Sequence, residues 1–181
     1  VIPFPFEASG NEDIVERVEF LTDVLISYDA TEQRVQLRGA ARRAIEYSIF
    51  CDDQRAAQHA EILLYGLQHD LLGVPLWQYA NKLTAQAGSG ATSFTVEIAD
   101  VPWATGDTVF LFSDPFTWDA LAFSSASAGT VFTLEPSTRI WPIGTVVVPM
   151  RAGRVAASVP YAHESRDAIG ARVHFLLEPA L

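Results

Sequence analysis

Val15-Glu16-Arg17-Val18-Glu19-Phe20-Leu21-Thr22-Asp23-Val24-Leu25-Ile26-Ser27 alternates with a period of two: Val18, Phe20, Thr22, Val24 and Ile26 fall on one side, Glu19 and Asp23 on the other. A half-buried strand carries this pattern, because successive side chains of extended backbone point to opposite faces. A turn is expected at Tyr28-Asp29-Ala30-Thr31. The next strand, 32–38, puts Val35 and Leu37 on one face and Arg34, Gln36 and Arg38 on the other, with Glu32 on the arginine side. After Gly39-Ala40-Ala41 the alternation resumes over 42–50 through Ile45, Tyr47 and Ile49. Three such runs with short breaks predict an antiparallel meander.

Beyond the meander the period changes. Ala56, Ala60, Leu63, Leu67 and Leu71 recur at steps of three and four, which predicts a helix over 53–72 with Asp52 as its cap, Gly73 after its last turn and Pro75 preventing continuation. Leu76-Trp77-Gln78-Tyr79 reads as a strand. Ala87-Gly88-Ser89-Gly90-Ala91 reads as a small flexible bridge. Short β segments are expected at 93–99, 108–113, 118–124, 130–135 and 145–149, separated by turn residues such as Gly106-Asp107, Asp114-Pro115 and Ile143-Gly144. That spacing suggests a small barrel or sandwich. After Arg151-Ala152-Gly153 two more strands, 154–161 and 171–177, are too few for a domain of their own. The expected organisation is therefore mainly β with one helix (α+β): residues 1–86 plus 153–181 form one domain, and 87–152 form a small β-barrel inserted into it.

Composition narrows the function. Of 181 residues 49% are apolar, ample for a packed core, and the net charge is −10. Phosphate backbones repel so acidic a chain, so no nucleic-acid specificity is expected. No apolar run approaches the roughly 18 residues of a membrane span, and Val1-Ile2-Pro3-Phe4-Pro5-Phe6-Glu7 lacks the basic-then-apolar order of a signal peptide. The cations are one lysine, Lys82, and eleven arginines. Arginine's planar fork suits interfaces and carboxylate pairing.

A catalytic constellation is not legible. His59 and His69 lie ten residues apart on the expected helix, about 80° and about 15 Å from one another, too far for one metal. Asp52 and Asp53 beside the lone cysteine, Cys51, would raise its pKa, the opposite of an activated nucleophile. Asp114 and Asp119, with Glu97 and Asp100, are the only candidates for a glycosidase pair, and no feature fixes their separation. No phosphate loop or dinucleotide fingerprint occurs, so no cofactor is expected. Two features remain. Glu32, Arg34, Arg38 and Arg42 form a group too polar for an ordinary core and are candidates for an assembly interface. Trp103, Phe116, Trp118 and Trp141 stand out among the aromatics of 87–152 as candidate sugar or subunit contacts, since a small barrel has limited interior.

The stretch Thr22-Asp23-Val24-Leu25-Ile26-Ser27-Tyr28-Asp29-Ala30-Thr31-Glu32-Gln33-Arg34, followed by Leu37-Arg38 and Arg42-Arg43, resembles the opening of distal-tail and tail-tip proteins of siphophages and gene transfer agents. Their pattern is a threonine-led strand, a Ser-x-Asp-Gly turn, Glu-Gln-Arg and a step into another strand. Pro75-Leu76-Trp77, Gly106-Asp107 and Gly144-Thr145-Val146-Val147-Val148-Pro149 resemble later parts of such proteins. Ala30 and Ala41 depart from the glycine and proline usual there. The resemblance implies a tail-tube-like β-sandwich with one packed helix and no enzymatic activity. It implies a ring homo-oligomer, with other tail proteins as partners and the virion tail as location. A carbohydrate- or receptor-binding module of the tail tip, contacting a host-surface glycan, is the alternative.

Overall fold

Strands are the prevailing element in the computed structural model, which describes residues 1–20, 22–26, 32–36, 41–67, 70–98, 100–156, 159–163 and 168–178, with backbone alone for 22–26 and 32–36. In chain order the elements are β1 (Ile2–Pro3), β2 (Val15–Glu19), β3 (Thr22–Ile26), β4 (Glu32–Gln36), β5 (Arg42–Cys51), α1 (Gln54–Gly66), β6 (Leu72–Pro75), a 3-10 turn (Trp77–Tyr79), β7 (Asn81–Lys82), β8 (Ser93–Thr95), β9 (Thr108–Asp114), β10 (Thr117–Ser127), β11 (Thr130–Thr133), β12 (Val146–Val155), β13 (Tyr161–His163) and β14 (Ile169–Leu177). The protein is mainly β, and α1 is the single α-helix among the described residues.

The long alternation of 15–27 forms two strands. β2 pairs antiparallel with β5, from Val15↔Glu46 to Glu19↔Arg42, whereas β3 and β4 pair with each other in a separate two-stranded sheet. Between them Phe20 is 75% exposed, so the apolar side of this stretch does not all enter the core. β14 runs along the other edge of β5, from Ile169↔Cys51 to Leu177↔Arg43. The terminal strand thus returns to the sheet that begins near the amino end.

Helix α1 starts one residue later than the sequence suggests: the cap is Asp53, in extended conformation, whose Oδ1 accepts from the amides of Arg55 (2.8 Å) and Ala56 (3.0 Å). It also ends earlier, at Gly66. Leu72 and Val74 are fully buried in β6, which lies parallel to β1 and antiparallel to β12. That strand pairing outweighs a further turn of helix, whose stability depends on what it can bury. Ala56, Ala60 and Leu63 face the core as expected, joined by Ala57 and Leu64, while Leu67 is half-buried and Leu71 is 36% exposed. Phe4 and Phe6, just after β1, are core residues. Leu76–Tyr79, expected as a strand, makes the 3-10 turn that buries Trp77.

The expected break at Arg151-Ala152-Gly153 does not occur: these residues lie inside β12. One edge of β12 pairs first with β9 (Val146↔Phe112 to Met150↔Thr108) and then with β14 (Gly153↔Leu177 to Val155↔Phe175). The other edge pairs with β7 and β6. Gly153 serves close approach: a Cβ there would stand 3.0 Å from both the Leu176 carbonyl oxygen and Val74 Cγ2. From β12 the pairing continues through β9, β10, β11 and β8. Val96, just after β8, bridges to Leu83, whose neighbours Asn81 and Lys82 pair back onto β12. Leu83, Phe94, Val109, Leu111, Leu121, Trp141 and Val147 form one core cluster against these strands. Phe110, Phe112, Val148 and Met150, from the same strands, face the other core with α1, β5 and β14.

The expected flexible bridge at 87–91 is tightly bonded. Ala87 and Trp141 exchange amide bonds of 2.9 and 2.8 Å, and Gly90 N–H donates to the Ser137 carbonyl at 2.9 Å. The backbone there requires glycine, with φ +87° at Gly90.

Leu63→Ala is expected to cost about 2–5 kcal/mol, the range for emptying a buried leucine site. Denaturant unfolding measures this, and a loss below about 0.5 kcal/mol would mean α1 is not held by its buried stripe.

Candidate functional site

Register decides which side chains meet on the outer face of the β5–β14 pair. Ile45, Tyr47 and Ile49 point inward with Val173 and Phe175, so the outer face receives Glu46 opposite His174, Ser48 opposite Arg172, and Phe50 opposite Gly170. Arg172 donates from Nε to Glu46 Oε1 at 2.5 Å and from a terminal nitrogen to Glu12 Oε2 at 3.1 Å. Arg17, on β2, pairs with the other oxygen of Glu46 at 3.2 Å. The Ser48 hydroxyl donates to Glu12. The hydrogen bond from Arg172 is the main cause that holds the Glu46 carboxyl below its usual range, against the opposing effect of burial. β2 leaves β5 at Glu46, so the Ser48 carbonyl is free to accept the Ser9 amide at 2.6 Å, and this bond anchors the segment that carries Glu12.

Between that segment, the outer strand face and residues 160–162 lies a groove of about 530 Å³. Its lining includes Asn11, Glu12, Ser48, Phe50, Gly170 and Arg172. The volume falls in the range of small-molecule sites. Two carboxylates, Glu12 and Glu46, face two guanidiniums, Arg17 and Arg172, so the network is charge-balanced.

The buried carboxylates Asp119 and Asp107 have structural partners instead. Asp119 is enclosed and accepts from Ser137 Oγ (2.9 Å), Thr138 N (3.1 Å), Thr138 Oγ1 (2.6 Å) and Trp141 Nε1 (3.0 Å). Burial raises its pKa, and these donors together outweigh burial and lower it. A carboxylate so saturated cannot serve as a glycosidase acid or base. Asp114 accepts the Phe116 amide at 2.8 Å in the β9–β10 turn. Asp107 receives Arg151 Nε at 2.7 Å and the Ala104 amide at 2.8 Å, which ties the turn before β9 to β12. Burial pushes the Cys51 thiol up to about 11, with Asp53 and Asp52 adding to the shift. Among the described residues no group of three His, Cys, Asp or Glu side chains could hold a metal ion.

Each aromatic candidate from the sequence packs against another residue of the chain, although Phe116 stays 36% exposed. Trp141 is 1% exposed, so it is a core residue and not a sugar or subunit contact. Trp118 is half-buried near Phe110, and Trp103 stacks on Phe123 with ring centroids 5.1 Å apart. Phe116 sits between Arg55, 3.9 Å above its ring, and the stacked His59, and joins the β9–β10 turn to α1. Burial, then Arg55, lowers the His59 pKa. Arg42 is exposed at the start of β5 opposite Glu19. Glu32 and Arg34 lie on β4, but their side chains, like the whole of Arg38, are outside the described residues. The network of Glu12, Glu46 and Arg172 was missed. The polar positions of the alternation in 42–50 mark Glu46, yet no local pattern pairs it with a residue 126 positions away.

No protein-family model matches this chain, and no curated protein matches its sequence. Among the described residues no helix is long and apolar enough to cross a membrane.

Asp119→Ala is expected to lower stability by about 1–3 kcal/mol, because it orphans the buried Trp141 indole N–H. Arg172→Ala, on the exposed face, should leave the melting temperature nearly unchanged. The Asp119 contribution is fully present above the usual carboxylate pKa and is lost as pH falls through its lowered folded-state value, so the gap in melting temperature between wild type and Asp119→Ala should be smaller near pH 3 than at neutral pH. Equal separation at both would contradict an ionised Asp119.

Proposed function

We propose that this chain is a structural component of a bacteriophage or prophage tail, a ring-forming distal-tail or tail-tip adaptor between tail tube and tip, and not an enzyme. In this reading residues 1–86 plus 153–181 are a tail-tube-like β-sandwich, and 87–152 are a small barrel carried by it. The observation that carries the reading is the β3–β4 hairpin, formed by the stretch that resembles tail proteins. Among the described residues it pairs with no other strand. A two-stranded hairpin is marginal by itself in water, so its ordering calls for a neighbour. Exposed Val18 and Phe20 lead into it and offer apolar surface for that contact. The partners are then further copies of the chain and other tail proteins, and the protein resides in the virion tail.

A second reading, a carbohydrate- or receptor-binding module, gains little from Trp103, Trp118 and Trp141, which pack against other residues of the chain. The groove beside Arg172 supports it instead.

Electron microscopy of the purified chain is expected to show closed rings with a central hole. Arg34→Ala should weaken association by about 2–5 kcal/mol if that arginine is desolvated at the contact. Light scattering that finds a monomer at every concentration, with Arg34→Ala indistinguishable from wild type, would overturn the adaptor reading.

A further inference from the structure

The groove beside Arg172 has three properties that together define a class of ligand. Its charges are already matched: Arg172 is held by Glu46 and Glu12, and Glu46 also by Arg17. A charged ligand would have to compete with an existing ion pair, whereas a neutral one can use the oxygen lone pairs and N–H bonds that remain. Its polar groups are also clustered: Arg172 and Ser48 both donate to Glu12, so donors and acceptors are gathered on one wall of the groove. Finally, Phe50 stands 51% exposed at an outward strand position, and its cross-strand partner Gly170 has no side chain to cover it. A flat aromatic face beside clustered hydrogen-bonding groups suits a ligand with one apolar face and a rim of hydroxyls.

We propose that this groove binds a neutral pyranose saccharide, with one sugar face on Phe50 and its hydroxyls bonded to Glu12, Asn11, Ser48 and Arg172. The inference deepens the second reading above and is independent of the first, since ring assembly and groove binding are read by different measurements. It assigns the sugar contact to the outer sheet face, away from Trp103 and Trp118.

The test is an amide NMR titration of the full chain with maltotriose, with triacetylchitotriose and with trigalacturonic acid, the last as a charged control. At least one neutral trisaccharide is expected to give saturable shifts at Ser9, Asn11, Ser48, Phe50 and Gly170, with a dissociation constant on the order of 1 mM. Phe50→Ala should weaken binding about tenfold or more, with an unchanged melt because the ring is exposed. Arg172→Lys keeps the charge and loses the two-pronged geometry, and should also weaken it. The proposal is overturned if neither neutral sugar gives saturable shifts up to about 50 mM, if trigalacturonic acid binds more tightly than both, if the shifts fall on Trp103 and Phe132, or if Phe50→Ala binds like wild type.

Discussion

Over 147–150 β12 is buried on both faces, it is paired on both edges along much of its length, and most of the structure is arranged around that constraint. Val147 faces one core and Val148 and Met150 the other. β9 and β14 share one edge in succession, and β7 and β6 share the opposite edge. A strand in this position must be apolar on both sides and must tolerate close neighbours, which Val146-Val147-Val148 and Gly153 provide. Exposed Arg154, paired with Glu178, departs from this pattern, and so does Arg151. It is nearly buried, and Asp107 neutralises it, so the turn before β9 is fixed to the same strand. Removing one member of such a pair leaves a charge without compensation.

The polar residues divide by depth. Asp119, Asp107 and Asn81 are buried and spend their hydrogen-bonding capacity on backbone and neighbouring side chains. Their role is to hold irregular segments against the sheet. The network from Arg17 to Glu12 lies on the outer face and stays accessible. It adds little to stability and leaves a groove in which clustered donors and acceptors face solvent. The groove, which suggests contact with another molecule, lies outside the buried cores.

Local periodicity made much of this legible. The alternation of 42–50 became β5, and the three-and-four spacing of Ala56, Ala60 and Leu63 became the packed face of α1. The errors have physical causes. Arg151-Ala152-Gly153 looks like a turn, but glycine is needed there for close packing against Val74 and Leu176. Ala87–Ala91 looks flexible because its residues are small, yet its amides are bonded to 137–141. Leu71 and Leu72 fit the helical period, and the pairing of β6 with β12 takes precedence. For the candidate site, the meeting of Glu12, Glu46 and Arg172 depends on strand register between distant segments, which local spacing does not encode.

Native-state hydrogen exchange tests most directly whether β12 makes the two cores one unit. Amides of β9, of both halves of β12, and of β5 and β14 are expected to open with the same free energy, equal to that of global unfolding. If 93–147 exchange through an opening of much lower free energy while β5 and β14 stay protected, the two cores are separate units and the account of β12 is contradicted.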